Sequence, residues 1–457
     1  MLLLIVPVAP ACDAPTTLPS SLVRVTEEPA GANCTYGGVA IGSGEDADGS
    51  GALSADEVRA TAYVCASADA GPPLVRVELE PSGADCSAGG HAILSGSDAD
   101  RDGTLDESEI ASTTFVCAPE AETVVRGSFV VRNSLDAAKL VGVTGISGDL
   151  TIEAAGLESI DLSHLTTVGG TVELRAIDAD VVEMRSLTSI GGRLTVQALS
   201  PVGLDLPALT DVGAQVFLNN ATTVFDAPAL VTIGSEFVMY GGTSIDLSSL
   251  EHVGTNVYLT SLGAEATTVV DLPALASIGG TLQVANCKAL TSISLPQLTS
   301  IGGALTLNGN TALTTFAVPD LASVGGDVQV SGSNLPELAL SSMGSVGGTL
   351  LIQDNPAMAT FLAPTLTAVE EYLSFSSNAA LTAIALPQLV SVGRSFVVSW
   401  NPLLTSIDAA ELRFVEVNFS VSSNPSYPTC RAQALVDQLE STPTINVSYG
   451  NSSASCP

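Results

Sequence analysis

The sequence predicts a mainly β protein: a right-handed parallel β-helix, or leucine-rich-repeat-like solenoid, of about twelve turns, preceded by two small disulfide and calcium modules. Three observations predict it. From about residue 146 the chain repeats every 20–25 residues. Within each repeat, apolar and polar residues alternate with the period of a β-strand. Before the repeats, residues 22–65 and 74–117 are two copies of one unit that align without a gap.

Each solenoid repeat contains a corner that reads Gly-Gly in a typical turn, and the residue before this corner is always Val or Ile. β-Branched residues in period-two alternation favour strands, and a short strand buries its inner face only when the next repeat stacks on it. We therefore expect one apolar column running through all turns. The corner residues are Val168, Ile190, Val212, Ile233, Val253, Ile278, Ile301, Val324, Val346, Val369, Val392 and Val415.

Each N-terminal module contains twelve residues with the spacing of an EF-hand-type calcium loop. Side chains with oxygen atoms alternate along the loop, a glycine stands at its sixth position in both copies, and a glutamate ends it. Hard oxygen donors in this pattern predict calcium as the cofactor, the alternative being an acidic, solvated turn. The candidate ligands are Asp46, Asp48, Ser50, Ala52, Ser54 and Glu57 in the first loop, and Asp98, Asp100, Asp102, Thr104, Asp106 and Glu109 in the second.

The surroundings of the two loops differ from those of an EF-hand. Gly-Gly and a short apolar stretch precede each loop, where an EF-hand would have a helix. Only the exits, residues 55–62 and 107–114, have a helical pattern. We therefore predict isolated loops that stabilise the modules, not paired sensor hands. The second loop has two more carboxylates than the first and is expected to bind calcium more tightly.

The cysteines indicate an exported protein. Cys34 and Cys65 have the same separation as Cys86 and Cys117, and the pair Cys430 and Cys456 brackets the C-terminal segment. Three local pairs predict three disulfides and an oxidising compartment. The remaining thiol, Cys287, is expected to be a small buried hydrophobe.

The N-terminus reads as a secretory signal that ends Ala-Pro-Ala-Cys and resembles a bacterial lipoprotein signal, with Cys12 as the lipidated residue. Ordinary cleavage and release is the alternative. The expected location is extracellular or in the cell envelope, as an outer-membrane lipoprotein or a secreted protein. A net charge of -34 excludes nucleic acid, and membrane contact is expected only through a lipid on Cys12.

Two family resemblances follow from these motifs. The paired modules resemble a small cysteine-containing domain that is repeated in large exported proteins of myxobacteria. Over residues 125–430, the recurring motif Leu-x-x-Ile-x-Leu-Pro-x-Leu-x-x-Ile-Gly-Gly resembles the receptor L-domain family and the fungal Ecm33-like wall proteins. This resemblance implies a secreted binding or wall-associated role and carries over no site residue. The expected domains are a signal (1–17), two calcium-loop modules (18–68 and 69–119), a linker and N-terminal cap (120–145), the solenoid (146–429) and a disulfide-bonded C-terminal cap with a helix at 431–440 (430–457).

Two sets of polar residues recur along the repeats, each at its own position. One set consists of acids, for which the alternatives are a solubilising stripe and a track for cations: Asp161, Glu183, Asp205, Asp226, Asp246 and Asp271. The other consists of asparagines, expected to bond neighbouring turns and to tolerate unusual turn dihedrals, with ligand contact as the alternative: Asn310, Asn355, Asn378, Asn401 and Asn424.

The leading functional expectation is a non-catalytic binding and scaffold protein of the cell surface, with an extracellular protein or glycan as partner. A self-associating wall or matrix protein is the alternative, and a polysaccharide-active β-helix enzyme is a remote one. The three histidines lie far apart in sequence, and the whole chain contains only the lysines Lys139 and Lys288, which argues against an enzyme. Exposed aromatic residues are candidates for sugar stacking, among them Trp400 and Tyr258, whereas Phe375 is expected to point inward.

Overall fold

A computed structural model of the chain forms two compact units, Met1–Thr123 and Val124–Pro457. The residues it describes are 21–45, 52–66, 73–81, 83–86, 90–100, 102–117, 123–153, 159–175, 181–197, 203–219, 224–242, 244–262, 268–447 and 449–456. The predicted signal and Cys12 lie outside these residues, as do Asp46, Asp48 and Ser50 of the first loop.

Each N-terminal module is a three-stranded antiparallel sheet whose strands pair in chain order. In both copies a β-bulge falls two residues before the second strand ends, at Ser43/Gly44 and at Ser95/Gly96. The strands are Ser21–Glu28, Gly38–Glu45 and Val58–Cys65 in the first module, and Pro73–Glu80, Gly90–Ser97 and Ile110–Cys117 in the second.

The prediction that a helix follows each loop is wrong. Both loops lead through one turn directly into the third strand, Val58–Cys65 or Ile110–Cys117. The β-branched residues Ile110, Thr113, Thr114 and Val116 favour this outcome, because their stiff side chains suit a pleated strand better than a helix. Each loop thus connects two strands of one small sheet.

The second unit is the predicted parallel β-solenoid, and its widest face is a 15-stranded sheet, called here the large sheet. Along its strands buried and more exposed residues alternate, as in Val172–Arg175, where Val172 and Leu174 are buried. The strands of the large sheet are Phe129–Val131, Leu150–Ile152, Val172–Arg175, Leu194–Gln197, Val216–Asn219, Phe237–Tyr240, Val257–Thr260, Leu282–Ala285, Leu305–Asn308, Val328–Ser331, Leu350–Gln353, Tyr372–Ser376, Ser395–Ser399, Asn418–Ser422 and Thr444–Asn446.

A second sheet of 14 two-residue strands, the corner sheet, runs beside the large sheet. The second residues of twelve of these strands are the Val and Ile of the sequence pattern, and those twelve are all buried. Most corners have glycine because turns stack tightly there: a Cβ on Gly191 would collide with the carbonyl oxygen of Gly169. The strands of the corner sheet are Val124–Val125, Gly145–Ile146, Thr167–Val168, Ser189–Ile190, Asp211–Val212, Thr232–Ile233, His252–Val253, Ser277–Ile278, Ser300–Ile301, Ser323–Val324, Ser345–Val346, Ala368–Val369, Ser391–Val392 and Phe414–Val415.

The remaining strands form the third face, which is divided into three parallel sheets of five, three and four strands. The strands of the third face are Ser159–Asp161, Val181–Glu183, Gly203–Asp205, Val224–Asp226 and Ser244–Asp246; then Val269–Asp271, Ser292–Ser294 and Thr315–Ala317; then Glu337–Ala339, Thr360–Leu362, Ala383–Ala385 and Ser406–Asp408. The inner residues of all three faces form one continuous apolar cluster.

The solenoid is slightly longer than the twelve turns of the sequence pattern. Fourteen corner strands delimit thirteen turns, because the corner sheet begins at Val124–Val125 and continues with Gly145–Ile146. The first of these corners reads Val-Arg-Gly, which departs from the repeated motif, so the motif does not predict this turn.

Both ends of the solenoid carry a short helix. Near the first turn, Ser134–Ala138 is capped by the side chain of Asn133, which accepts a hydrogen bond from the Asp136 N–H at 3.0 Å. At the C-terminus, the helix expected at 431–440 spans Thr429–Asp437. The strand Thr444–Asn446 then pairs with Asn418–Ser422 and becomes the last strand of the large sheet.

Candidate functional site

The second loop places three carboxylates together immediately after the strand Gly90–Ser97. One oxygen each of Asp98, Asp100 and Asp102 lies within 4.8 Å of the others. Asp98 is half-buried and the other two are exposed. Carboxylate oxygens converging at one point are the ligands that hard cations prefer, so this triad could hold a metal ion.

Backbone hydrogen bonds hold the loop in this conformation. Asp98 accepts from the N–H groups of Asp102 and Gly103, each at 3.0 Å. Gly103 has φ of +85°, a conformation that favours glycine and makes the sharp turn of the loop. Asp102 accepts from the backbone N–H of Thr104 at 2.8 Å and from its hydroxyl at 2.6 Å. The triad is therefore arranged by the loop's own backbone.

Glu109 connects the two ends of the second loop. Its Oε1 accepts a hydrogen bond from the Ala99 N–H at 2.7 Å, and its Oε2 accepts one from the Asp106 N–H at 3.1 Å. The glutamate that ends the loop is thereby held beside the residues that begin it. This is the side chain that a calcium loop requires as its last ligand.

The electrostatics of the triad reflect crowded negative charge. A hydrogen bond from the Asp102 N–H lowers the pKa of Asp100, but desolvation and the charges of Asp102, Glu109 and Asp98 outweigh it, so that this pKa is raised. The hydrogen bonds from Thr104 instead lower the pKa of Asp102. A bound dication would relieve the repulsion at Asp100, so the residues present fit a hard metal ion.

Arg76, which the sequence analysis did not identify, ties the second loop to the first strand of its module. Its guanidinium donates to the carbonyl oxygen of Leu105 at 2.7 Å and pairs with Glu107 at 2.7 Å. The hydrogen bond to Glu107 raises the pKa of Arg76. A single arginine in a strand carries no motif, so only the fold reveals this contact.

The first loop is described only over its second half, Ala52 to Glu57. There the Ser54 N–H donates to Oε2 of Glu57 at 2.8 Å, which repeats the contact between Asp106 and Glu109. The two loops thus share one closing arrangement over the residues that can be compared.

The predicted disulfides are present. Cys34 is bonded to Cys65 and Cys86 to Cys117. In each module the disulfide therefore joins the segment before the second strand to the end of the third strand. Cys430 is bonded to Cys456 in the C-terminal cap. Cys287 is a buried free thiol, and burial raises its pKa. The disulfides indicate an extracellular compartment. Over the described residues, no helix has the length and apolar character needed to cross a bilayer.

The acidic residues of the repeats form a register-matched column on the third face, but the column has five members where the sequence suggested six. Asp161, Glu183, Asp205, Asp226 and Asp246 pair strand to strand within the five-stranded sheet. Asp271 begins the next sheet and pairs with Ser294 instead. Within the column Asp226 is exceptional: its Oδ1 is buried without a hydrogen-bond partner, and burial, Asp246 and Asp205 raise its pKa.

The asparagines are buried and bonded to the backbone, as a structural role requires. In Asn378, for example, Nδ2 donates to the carbonyl oxygen of Ile352 at 3.0 Å. The unusual dihedrals expected of the asparagines belong to the residues before them, among which Trp400 has φ of +57° and Ser377 has +58°. The column also extends to Asn451, whose Oδ1 accepts from the Asn424 N–H at 3.0 Å.

The aromatic candidates occupy different environments. Trp400 is 64% exposed, Tyr258 is half-buried on the outer side of the large sheet, and Phe375 is fully buried as predicted.

Together these features define a class: a parallel β-solenoid preceded by small antiparallel modules, each closed by a disulfide. The two modules match a family model described as "Domain of unknown function (DUF7151)", over residues 20–65 and 73–117. No curated protein and no solved structure matches the chain.

Proposed function

We propose that the protein is an exported, non-catalytic binding and scaffold protein whose solenoid presents a fixed surface to a partner. The observation that carries the proposal is the unbroken register of the large sheet through all 15 strands. Outward side chains on neighbouring strands therefore repeat at about 4.8 Å, in a pattern that cannot slip without moving core residues to the surface. The resemblance of the repeat motif to the receptor L-domain family supports the same role.

We further propose that calcium stabilises the N-terminal modules. Asp98, Asp100 and Asp102, with Glu109 held beside them, supply the carboxylates, and the carbonyl oxygen of Thr104 and the side chain of Asp106 would complete the oxygen set. Because the loop joins two strands of one sheet, the bound ion would staple a small domain that has little core of its own. An affinity of about 0.1–1 mM, as in extracellular modules, is expected.

The compartment is part of the proposal. Three disulfides suit export, and lipid attachment at Cys12 or release after cleavage would then place the chain at the cell surface or outside the cell.

Calorimetry on the full chain tests the calcium site. Asp102→Asn is expected to weaken calcium binding by the second loop at least tenfold and to abolish most of the rise in melting temperature that calcium gives the second module. Asp85→Asn removes one exposed charge from the same module outside the loop and should change neither. Equal calcium uptake by both variants would contradict the assignment.

Light scattering tests the scaffold role against the self-associating alternative. A binding protein is expected to remain monomeric with and without calcium, because a net charge of -34 opposes self-association. Reversible assembly into large particles on addition of calcium would instead support a wall or matrix component.

A further inference from the structure

The outer side of the large sheet carries an aromatic cluster in three consecutive turns, formed by Phe217, Tyr240 and Tyr258. Phe217 and Tyr258 stand in one column, separated by Val238, which pairs with both. The rings of Phe217 and Tyr240 meet edge to face with their centroids 6.0 Å apart. Val238 is only 5% exposed although it points outward, because these rings surround it. An apolar floor with aromatic sides thus occupies these three turns of the outer face.

Fixed polar groups border the cluster on one side. The amide nitrogens of Gln215 and Asn256 each donate to the carboxylate of Glu236 at 2.9 Å, and Oδ1 of Asn256 accepts from the Thr281 N–H at 2.8 Å. These half-buried side chains span the same three turns as the rings. Their arrangement is set by mutual hydrogen bonds, so donors and acceptors are held ready beside the aromatic cluster.

A groove of about 520 Å³ leads along the same face to the cluster. It is lined by outward residues of the preceding turns, including Thr151, Glu173, Arg175 and Thr195, and it ends at Gln215 and Phe217. Its volume lies within the range of about 300–1,000 Å³ that is typical of ligand sites. The groove and the cluster therefore form one continuous surface across several turns.

The charge of this surface favours an uncharged occupant. The charged residues that line the groove are two acids and two arginines, so their charges balance. Arg175 pairs with Glu173 and lies 3.7 Å from Glu153. The chain as a whole has a net charge of -34, which repels anionic polymers. Aromatic rings beside amide groups suit a ligand that combines apolar C–H faces with hydroxyl groups, as neutral sugars do.

We propose that the groove and the aromatic cluster bind a neutral, extended β-linked polysaccharide chain running across the strands. The proposal rests on the binding role proposed above and names its partner. Neighbouring strands are about 4.8 Å apart, close to the length of one sugar residue in an extended chain. Phe217 and Tyr258, two strands apart, then meet alternate sugars, which present the same face in such a chain. The amides of Gln215 and Asn256 bond the hydroxyl groups at the edge.

The experiment measures retention of the full chain on neutral polysaccharides with extended chains (cellulose and a β-1,4-mannan) and on the anionic polymer polygalacturonate. The wild type is expected to bind at least one neutral polymer and not the anionic one. Phe217→Ala combined with Tyr258→Ala should weaken that binding about tenfold or more, which corresponds to about 1.4 kcal/mol. Tyr258→Phe should retain most of it, because the ring remains. Trp400→Ala removes a large, 64% exposed ring outside the cluster and should leave binding unchanged.

Each outcome decides one of the two proposals. Each variant's unchanged melting temperature must first show that the solenoid is intact; if the double variant unfolds, Gln215→Ala with Asn256→Ala replaces it and is expected to weaken binding likewise. Retention that persists in these variants, or is lost in Trp400→Ala, overturns this site but leaves a binding protein. Absence of retention on all neutral polymers overturns the polysaccharide proposal alone. Release of soluble reducing ends from a polymer would overturn the non-catalytic function itself.

Discussion

Asn378 and Asn401 lie at the same position of consecutive turns, and a single side-chain oxygen of Asn401 serves both the backbone and the side chain of its neighbour. Oδ1 of Asn401 accepts from the Asn378 N–H at 3.1 Å and from Nδ2 of Asn378 at 3.2 Å. Asn355 and Asn378 repeat the same pair of bonds, and so do Asn401 and Asn424. The turns that follow the strands of the large sheet are therefore joined by a chain of buried amides, whose members polarise one another.

This chain of amides has one defect, at Ser333, and repairing it should stabilise the protein. Ser333 occupies the asparagine position between Asn310 and Asn355, and its buried hydroxyl has no hydrogen-bond partner. Ser333→Asn is expected to raise the free energy of unfolding by about 1 kcal/mol, as measured by denaturant titration. Ser331→Asn, on the outer side of the same turn, is the control and should change little. A less stable Ser333→Asn variant would mean that the turn cannot accommodate the larger side chain.

Removing a member of the chain should have the opposite effect. Asn378→Ala deprives the Asn355 N–H and the Ile352 carbonyl of their partners, and buried unsatisfied groups of this kind cost about 1–3 kcal/mol each. We expect a correspondingly lower unfolding midpoint. Asn308→Ala, at an exposed asparagine of the large sheet, should leave the midpoint nearly unchanged. Similar losses in both variants would argue against a special role for the buried column.

Asp226 should destabilise the solenoid at neutral pH. Its raised pKa means that the folded state favours the protonated carboxyl, so folding becomes more favourable as the pH falls toward that pKa. Asp226→Asn is expected to gain about 0.2–1 kcal/mol at pH 7, the range for like charges on adjacent strands, and to lose this advantage at acidic pH. Asp205→Asn is the contrasting variant, because it also removes the ion pair with Arg185 at 3.3 Å. An Asp226→Asn gain that is independent of pH would contradict the explanation.

Calcium binding to the second loop should release protons. The pKa of Asp100 is raised in the metal-free loop, and a bound dication favours the charged carboxylate. Calcium affinity is therefore expected to decrease as the pH is lowered. The decrease should begin at a higher pH than it would for an aspartate with an ordinary pKa. Calorimetry in buffers of different ionisation enthalpy counts the protons released near that pKa, and Asp100→Asn should abolish their release. A calcium affinity independent of pH in acidic buffers would exclude this linkage.

The C-terminal end of the solenoid should lose stability in alkali, because Tyr427 is buried there. Burial raises the pKa of Tyr427 to about 12, against an ordinary value of 10.0. Below the ordinary value the phenol is neutral in both the folded and unfolded states, so its contribution is complete there. As the pH rises from 10.0 to about 12, only the unfolded chain ionises, and stability is lost. Tyr427→Phe should reduce this loss, as followed by circular dichroism during alkaline titration.

The solenoid could be predicted from the sequence because its signal recurs: every turn repeats the same apolar positions, and the corner Val and Ile residues are indeed buried. The segments after the loops were mispredicted because their sequence signal is short and mixed. Acidic residues that suit a helix come first, and the β-branched residues that follow them favour the strand that forms. The interruption of the acidic column after Asp246 has no local sequence signal, since Asp271 continues the pattern while its strand pairs elsewhere.

The candidate sites likewise differ in whether a local sequence signal could predict them. The triad Asp98, Asp100 and Asp102 is contiguous in sequence and could be predicted from spacing. Arg76, and the meeting of Phe217 with Tyr240 and Tyr258, depend on which strands become neighbours. Residues brought together only by pairing have no common motif, so they appear once the register is known.

The division of the third face into separate sheets has a consequence for how this protein can change over evolutionary time. The chain can lengthen or shorten where those sheets break, while the backbone ladder on the opposite side keeps its pairing. Relatives are therefore expected to differ in segment length near Asp246 and Asp271 and to keep constant spacing from each corner to the strand that follows it.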